Sequence, residues 1–347
     1  MKKVLLVTEY LNPPYDEGIK KTVYNLFKEL DKRYNVCVIC RYGFEKNNIH
    51  IVSTNPLFFD TKIKKIVKDF QPDILLYFPF ASMTFASYLR LFILKKYSIK
   101  TKSIIIALQP KKIHKWQKII AKFIKPHIAL TPSPQLQEMW QHLKIENKLL
   151  PLYTNQKDFS PIEDISLKKR LREKYNILNN KYVVSHIGHL NEGRNLESLI
   201  PLQKAGYQMV IVGSSSTPMD ATGPISLKQK LIDSGMIIFD KYIDNIAELY
   251  QLSDLYIFPV VEKCSSIGLP LSILEARACG VPVLTTEFGS IREYLKDDHG
   301  NVFYSKPSNF LSTLDKIKDS PSDHFKTSIS GINREYNKIL FSEIENS

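Results

Sequence analysis

The feature that most constrains the fold is an alternation of short apolar runs with polar, helix-length segments that are mostly rich in lysine. Unbroken apolar runs are typical of strands buried on both faces. Their alternation with helical segments predicts parallel βαβ units. The runs are VLLVT, NVCVIC, DILLYF, KSIIIAL and HIALTP in the first half, and YVVSHIG, YQMVIVG, MIIFD, DLYIFPV and VPVLTT in the second. Because the plan occurs twice, we predict two doubly wound α/β domains.

A polar, proline-bearing stretch separates the two halves. LPLYTNQKDFSPIEDIS (150–166) has the composition of a linker, and a length of 347 residues suits two domains. We predict a first domain over 1–158 and a second over 159–324. The pattern HFKTSISGINREYNKILFSEI predicts a closing helix, and we expect the segment 325–347 to pack back on the first domain.

The positive charge lies almost entirely in the first half. Residues 1–155 hold 26 Lys and Arg against 11 Asp and Glu, a net of +15, whereas the rest of the chain has 22 and 24, a net of −2. The strongest concentration is 90–125, with 11 basic residues and no acidic one. The first half therefore predicts an anionic neighbour. We expect no nucleic acid, because no recognisable nucleic-acid module accompanies the charge.

One basic segment, KKIHKWQKIIAKFIK (111–125), has two interpretations. Helical spacing places five large apolar side chains on one face and lysines on much of the rest, the apolar set being Ile113, Trp116, Ile119, Ile120 and Phe123. A basic amphipathic helix with a Trp is typical of membrane-surface binding. A stripe facing the protein core, with lysines in solvent, fits the pattern equally well.

Three features resemble other protein classes. The segment Ile74–Leu89 has no charged residue, but Pro79 and several hydroxyl residues interrupt it, so we predict a buried strand over 73–78 and then a core helix. Cys37 and Cys40 would point to opposite faces of a strand, which predicts buried cysteines in a reducing cytosol and neither a disulfide nor a metal site. The N-terminal apolar run is too short for a signal peptide.

Three predicted strands end in residues suited to phosphate or sugar. In HIGHLNEGRN (186–195), Arg194 is predicted to begin a helical run, where a guanidinium and free N–H groups favour an anion. VIVGSSS (210–216) fits a nucleotide-contacting turn or an empty tight turn. In SSIGLPLSILEARACGVPVLTT (265–286), a Gly268–Leu269–Pro270 turn leads into a helix carrying Glu275. That carboxylate suits either the helix dipole or two vicinal ribose hydroxyls.

IGLPLSILEARACGVPV resembles the donor-site signature of GT-B-fold retaining glycosyltransferases of family 4, E-G-x-P-x-S-x-x-E-A-x-A-x-G-x-P-V. The resemblance covers most of the chain. It includes IGHLNEGRN, similar to the family's diphosphate motif, MIIFDKYIDNIAELYQLSDLYIFP, similar to its base-contacting segment, NPPYDEGIKKTVYNL, similar to its N-terminal glycine loop, and LTPSPQLQEMW, similar to the segment before its interdomain crossing. The resemblance implies the GT-B fold, two Rossmann-like domains with a deep interdomain cleft.

Carried over by position, the resemblance assigns a donor site. Glu275 matches the family's second Glu, which binds the donor ribose, and Arg194 matches the diphosphate-binding Lys. His189 stands where the family has Arg. Gly18 matches the loop glycine, with Glu17 in place of a second one. The remaining donor-binding positions are Gly188, Gly213, Tyr242, Ile243, Gly268, Leu269 and Leu271.

Two catalytic positions depart from the family's pattern. Ile267 occupies the position of the first Glu of the pair, and an alkyl side chain accepts no hydrogen bond from a sugar. Glu262 lies five residues earlier and would replace that Glu only if the loop took another path. Gln109 follows the fifth strand, where the family often has a His, so it hydrogen-bonds without titrating.

The resemblance implies a cytoplasmic hexosyltransferase, peripheral on the inner face of the plasma membrane. It would transfer a hexose from a UDP- or GDP-linked sugar to a lipid-linked or cell-surface glycan with retention of configuration. No cofactor and no metal are expected. The basic region 90–125 would contact anionic lipid. The alternative is a catalytically weak or silent homologue that acts as a binding or partner subunit.

Overall fold

The structure is a computed structural model that describes residues 1–15, 17–44, 46–53, 57–80, 82–213, 225–262, 265–295, 301–319 and 329–346. The strands are β1 Lys3–Thr8, β2 Asn35–Cys40, β3 Ile49–Ile51, β4 Ile74–Phe78, β5 Ser82–Met83, β6 Lys102–Ile106, β7 Gln109–Pro110, β8 Ile128–Thr131, β9 Asn147–Leu149, β10 Val183–Gly188, β11 Gln208–Gly213, β12 Ile237–Phe239, β13 Leu255–Phe258, β14 Val283–Thr285 and β15 Val302–Tyr304.

The helices are α1 Gly18–Asp31, α2 Thr61–Phe70, α3 Phe85–Tyr97, α4 Lys115–Ala121, α5 Pro134–His142, α6 Ile165–Lys174, α7 Ile200–Lys204, α8 Ile225–Asp233, α9 Ala247–Gln251, α10 Leu271–Ala278, α11 Ile291–Leu295, α12 Phe310–Asp319 and α13 Ile329–Glu345. The chain divides into two compact units, which we call the first unit (Met1–Tyr153 with Asn333–Ser347) and the second unit (Thr154–Ile332).

The first unit contains a seven-stranded parallel sheet in the order β3-β2-β1-β4-β6-β8-β9. Its core strands are the apolar runs of the sequence, and Leu5, Leu75 and Ile105 are among the buried side chains of one cluster. Helices α2, α3 and α5 contribute Ile63, Leu91 and Trp140 to the same cluster. The predicted strand and helix within residues 73–94 are confirmed as β4 and α3.

The second unit repeats the plan with a six-stranded parallel sheet in the order β12-β11-β10-β13-β14-β15. Strands β11 and β12 lie on one side of β10, and β13 lies on the other. The predicted doubly wound α/β class is therefore confirmed in each unit. In such a sheet, ligands bind outside the carboxyl ends of the strands, where the strand order reverses. Here that point lies between β10 and β13.

The last helix, α13, groups with the first unit from Asn333 onward. Tyr34 donates a hydrogen bond from its hydroxyl to Glu345 at 2.6 Å. Glu343, almost fully buried, pairs with Lys148 at 2.5 Å and Lys102 at 3.5 Å. The end of the described chain therefore closes the first unit by hydrogen bonds and ion pairs. Residues 325–328 and 347 of the predicted closing segment lie outside the described residues.

Cys37 and Cys40 are buried, unbridged cysteines on β2, as predicted. Burial raises the pKa of their thiols to about 12 and about 11, so both stay protonated and unreactive. Cys264 lies outside the described residues. Within the described part of the chain, no helix has the length and apolar character that a membrane crossing requires.

Candidate functional site

The site-bearing edge of the second unit is where β10 and β13 end side by side. Val184 and Ser185 pair with Leu255 and Tyr256 in the sheet. Beyond that pairing, the Asn195 amide donates to the Pro259 carbonyl at 3.1 Å. The segment after β10 is therefore fixed against the end of β13.

Gly188, the last residue of β10, lies against two nitrogen-bearing side chains. A Cβ at this position would lie 3.2 Å from His186 Nε2 and 3.4 Å from Arg194 Nη1. Only a residue without a side chain leaves both groups where they are. Arg194 is almost fully buried, and its guanidinium carbon lies 5.9 Å from the ring centroid of Phe258 at the end of β13. The structure thus brings the predicted residues Gly188 and Arg194 together at the switch point.

The prediction that Arg194 begins a helix is wrong. Arg194 ends a 3-10 turn, Glu192–Arg194, and Asn195 then adopts a left-handed conformation with φ of 56°. A second 3-10 turn, Leu196–Leu199, precedes the short helix α7. The helix starts late because the Asn195 amide is used to bond Pro259, which favours a left-handed Asn over a helical one. Arg194 therefore contributes its charge without a helix N-terminus behind it.

His189 and Gly213 lie close to this turn in the chain and in the sheet. His189 is the residue after Gly188 and is half-buried. Gly213 ends β11 and pairs with Gly188 in the sheet. A Cβ on Gly213 would come within 2.7 Å of Leu190 Cδ1, so the glycine lets the β10 loop pack over the end of β11. The three serines of the predicted turn, residues 214–216, lie outside the described residues.

The Gly-Leu-Pro turn before α10 is tied to the segment after β14. Ser290 donates its backbone N–H to the Gly268 carbonyl at 2.7 Å. Gly289 has φ of +58°, and a Cβ there would collide with that same carbonyl. Leu269 is buried and Leu271 begins α10. The turn and the start of the helix are therefore held by backbone contacts that require glycine at 289.

Glu275 lies on the second turn of α10 and is almost fully buried. Tyr250, on α9, donates a hydrogen bond from its hydroxyl to Glu275 Oε2 at 2.8 Å. Burial, together with the Glu275 carboxylate, raises the pKa of Tyr250 well above its ordinary value, so the phenol remains a donor. Phe159, near the start of the second unit, packs edge-on against Tyr250 with ring centroids 6.0 Å apart. Glu275 is therefore a held, buried carboxylate rather than a surface partner of the helix dipole.

Ile267 and Glu262 occupy the loop between β13 and α10. Ile267 is half-buried, and Glu262 is exposed. Ser265 donates to Glu262 Oε2 at 3.0 Å, and that oxygen lies 3.1 Å from where a Cβ on Gly193 would be. A side chain at 193 would also overlap the Ser265 hydroxyl. The Glu262 carboxylate therefore lies beside the turn that carries Arg194.

Tyr242 and Ile243 follow β12. Tyr242 is half exposed, with 50% of its surface accessible. Ile243 is partly buried and packs against the cluster that contains Val212 and Leu249. The segment is fixed through Ile243 and presents Tyr242 outward.

Gly18 and Gln109 belong to the first unit. Gly18 is the first residue of α1, and its carbonyl accepts a hydrogen bond from Thr22 at 2.6 Å. Gln109 is half-buried on β7, and its amide donates to the Ser82 hydroxyl at 3.1 Å. This bond orients the Gln109 side chain from β5.

Two residues of the site were missed in the sequence. His186 is fully buried on β10, with Nδ1 2.9 Å from the Ile257 carbonyl and its ring stacked on Tyr256. Burial, aided by the nearby Arg194 charge, lowers the pKa of His186 to about 3, so it is neutral and Nδ1 is the donor. The sequence pattern places Tyr250 only within a predicted helix. A buried His or Tyr within an apolar pattern gives no sequence signal of its partners. Among the described residues, no group of three His, Cys, Asp or Glu is placed to hold a metal ion.

Comparison with known families and proteins finds similarity to glycosyltransferases in the second unit and in the fold. Residues 183–319 match the family described as glycosyl transferases group 1. Anabaena HepE, solved in complex with UDP and glucose, superposes with a TM-score of 0.76 at 14% identity and full coverage of both chains. This likeness shows the fold, which is that of the GT-B glycosyltransferases.

Two curated relatives match part of the chain. N-acetyl-alpha-D-glucosaminyl L-malate synthase of Bacillus anthracis is 28% identical over 140 residues, 39% of this chain and 34% of that protein. N,N'-diacetylbacillosaminyl-diphospho-undecaprenol alpha-1,3-N-acetylgalactosaminyltransferase of Campylobacter jejuni is 25% identical over 179 residues, 50% of this chain and 45% of that protein. The chain spans less than half the length of the curated relatives it matches.

Proposed function

We propose that the chain is a glycosyltransferase, because residues 183–319 match the group 1 glycosyl transferases and the chain has the GT-B fold. It moves a hexose from a nucleoside-diphosphate sugar to a lipid-linked or cell-surface glycan, with retention of configuration. The observation that carries the proposal is the buried Glu275 carboxylate, held by Tyr250, in the same unit as the Arg194 guanidinium at the sheet's switch point.

The donor nucleotide occupies the second unit in this proposal. Glu275 accepts hydrogen bonds from the two ribose hydroxyls, which a carboxylate does more strongly than a neutral acceptor. Arg194 and His189 bind the diphosphate, and Gly188 and Gly213 allow it to approach the backbone. The backbone of the Tyr242–Ile243 segment reads the base. Gly268, Leu269 and Leu271 hold the turn from which α10 and Glu275 start.

The transfer step needs little acid–base help from the protein. The bond from the anomeric carbon to the diphosphate oxygen breaks, and a bond from the acceptor hydroxyl forms on the same face. The acceptor's proton passes to the leaving diphosphate oxygen, whose charge Arg194 stabilises. The family resemblance also assigns Gly18 and Gln109 to the donor, Gln109 as a hydrogen-bonding group on the sugar.

The carboxylate that we propose to contact the donor sugar lies at an unusual position in the sequence. Ile267 offers no acceptor, whereas Glu262 lies beside the Arg194 turn. We assign to Glu262 the hydrogen bond to the sugar that the family's first Glu would make. The loss of a carboxylate at 267 then retunes the site and does not silence it.

The partners follow from the relatives' names and from the charge. A UDP-linked donor is favoured because HepE was solved with UDP and glucose, with a GDP-linked sugar as the other candidate. A lipid-linked acceptor is favoured because the Campylobacter relative acts on a diphospho-undecaprenol. No cofactor takes part. The enzyme works in the cytoplasm at the inner face of the plasma membrane.

Thermal unfolding with UDP, GDP and ADP tests the nucleotide site. A nucleotide at a hundred times its dissociation constant stabilises by about 2.7 kcal/mol, which raises the midpoint by roughly 5–10 °C in a unit of this size. Glu275→Gln keeps an acceptor for Tyr250 but removes the charge, and should abolish most of the shift. Glu293→Gln, on an exposed position of α11, is the matched control and should keep it.

Sugar transfer is then measured with the nucleotide that binds. Product whose anomeric configuration equals that of the donor supports retention, and the opposite configuration overturns it. If none of the three nucleotides shifts the midpoint, the proposed donor site is wrong and the silent-homologue reading replaces it.

A further inference from the structure

The helix α4 and the three residues after it expose large apolar side chains to solvent. The exposed fractions are 55% for Trp116, 60% for Ile119, 38% for Ile120 and 82% for Phe123. These four positions share one helical face, and six exposed lysines surround them, namely Lys111, Lys112, Lys115, Lys118, Lys122 and Lys125. We call these ten side chains the α4 surface. The core-facing interpretation of this stripe is wrong, because only Ile113 of the predicted set packs against the core.

The helix α2 shows how an ordinary basic helix of the same unit is built. Its Ile63 and Val67 are 0% and 2% exposed, and its lysines Lys62, Lys64, Lys65 and Lys68 point to solvent. Apolar and basic side chains are therefore separated on α2, whereas both are exposed on α4. A soluble protein gains nothing from four large apolar groups in water, so this arrangement marks a binding surface.

The α4 surface is fixed rather than loosely attached. Ala121 is fully buried and Ile124 almost so. The Trp116 ring packs edge-on against Phe85 at 5.3 Å between centroids. Lys95 donates to the Lys125 carbonyl at 3.1 Å, and Lys125 donates to the Lys144 carbonyl at 3.0 Å. The helix is thus anchored on one side while the other side presents the apolar groups.

The composition of the surface decides which partner it fits. Residues 90–125 hold 11 basic residues and no acidic one, so the partner is anionic. A phosphate backbone satisfies lysines but offers nothing to Ile119 or Phe123. An anionic bilayer offers both phosphate groups at its surface and an apolar layer below them, which is the usual occupant of a basic helix with aromatic and aliphatic side chains.

We infer that the α4 surface binds the face of an anionic lipid bilayer. Phe123, Ile119 and Trp116 enter the headgroup boundary, and the surrounding lysines meet lipid phosphates. The inference deepens the membrane placement in the proposed function. It is tested without donor or acceptor, so its failure and that of the transfer reaction are distinguishable.

The chain contains its own probe for this contact. It has two tryptophans. Trp140 is fully buried, with its indole N–H donating to Tyr88 at 3.0 Å, whereas Trp116 is on the α4 surface. A change of tryptophan emission on adding vesicles therefore reports Trp116. We expect a blue shift and co-sedimentation with vesicles of mixed phosphatidylglycerol and phosphatidylcholine, little binding to pure phosphatidylcholine, and weaker binding at high salt.

Two pairs of substitutions on the α4 surface and a control pair on α2 separate the contributions. Ile119→Ser with Phe123→Ser should weaken vesicle binding at least roughly tenfold, since burying either side chain is worth about that factor. Lys118→Gln with Lys122→Gln should also weaken it. Lys64→Gln with Lys65→Gln removes the same charge from α2 and should leave binding within about twofold. All six positions are exposed, and an unchanged melting midpoint in each variant confirms the fold.

Three outcomes overturn the inference. The first is an unchanged Trp116 emission with anionic vesicles. The second is equal weakening by the α2 and α4 lysine pairs, which would mean diffuse attraction without a surface. The third is full vesicle binding by the Ile119→Ser, Phe123→Ser variant. If double-stranded DNA, but not vesicles, changes the Trp116 emission, the surface is reassigned to nucleic acid.

Discussion

Tyr250 holds Glu275: the phenol hydroxyl donates to the carboxylate Oε2 at 2.8 Å, and both side chains are buried. The two residues lie on different helices, α9 and α10, so the bond also joins these helices. A buried carboxylate without a hydrogen-bond donor costs free energy, and the ribose hydroxyls are present only when the nucleotide is bound. Tyr250 supplies that donor in the absence of ligand.

Tyr250→Phe removes the donor and keeps the ring. A hydrogen bond to a charged group contributes about 1.5–3 kcal/mol, so the melting midpoint should fall by roughly 3–12 °C. Nucleotide affinity should fall as well, because the carboxylate is less well placed. Differential scanning calorimetry with and without nucleotide measures both effects. An unchanged midpoint would show that Tyr250 does not hold the carboxylate.

Arg194→Ala should remove diphosphate binding while leaving nucleoside binding intact. The guanidinium is buried beside Gly188 at the end of β10, where the diphosphate is proposed to bind and the nucleoside is not. Isothermal titration with the nucleoside diphosphate and with the matching nucleoside separates the two. Lys230→Ala, an exposed cation paired with Glu197 in the same unit, is the control. Equal losses for both ligands would place Arg194 elsewhere than at the diphosphate.

Glu262→Gln should lower kcat by roughly a hundredfold, the lower end of the range for removing a polar group that acts on the transition state, with the nucleotide affinity unchanged. Ile267→Ala should have a much smaller effect on kcat, because an alkyl group makes no polar contact. Steady-state rates with the natural donor measure both. A Glu262→Gln enzyme of full activity would mean that Glu262 has no part in transfer.

His186 should make the protein sensitive to acid. Its pKa is lowered to about 3 in the folded protein, mainly by burial, against an ordinary value of 6.5. The unfolded chain therefore binds the extra proton first, and stability falls as the pH drops from 6.5 towards 3. The loss amounts to about 2 kcal/mol between pH 7 and about pH 5.

His186→Phe removes this particular loss and should flatten the pH dependence of the unfolding free energy by about that amount. Chemical denaturation at both pH values measures the difference. His142→Gln, on an exposed position of α5, should leave the slope unchanged. A slope equal to that of the wild type in His186→Phe would contradict the assigned protonation state.

The sequence predicts the strands and singles out the Glu275 carboxylate, but it does not predict the residues that contact them in the folded chain. Runs such as VLLVT and YVVSHIG have no polar alternation, so they predict buried parallel strands directly. The strands β1 and β10 coincide with these two runs. The local turn around Arg194 could not be predicted, because Asn195 leaves the helix to bond Pro259, a contact between residues 64 apart in sequence. The approach of Glu262 to Gly193 is likewise a contact between residues far apart in the sequence. Tertiary contacts of this kind leave no periodic pattern.

The grouping of α13 with the first unit has a consequence for synthesis of the protein. Residues 333–346 leave the ribosome only after the whole of the second unit has been translated. At about 5–20 residues per second, the nascent first unit waits roughly 10 to 40 s for its closing helix. During that time Tyr34, Lys102 and Lys148 lack their partners on α13. The second unit, although its synthesis starts later, is therefore fully translated before the first unit is.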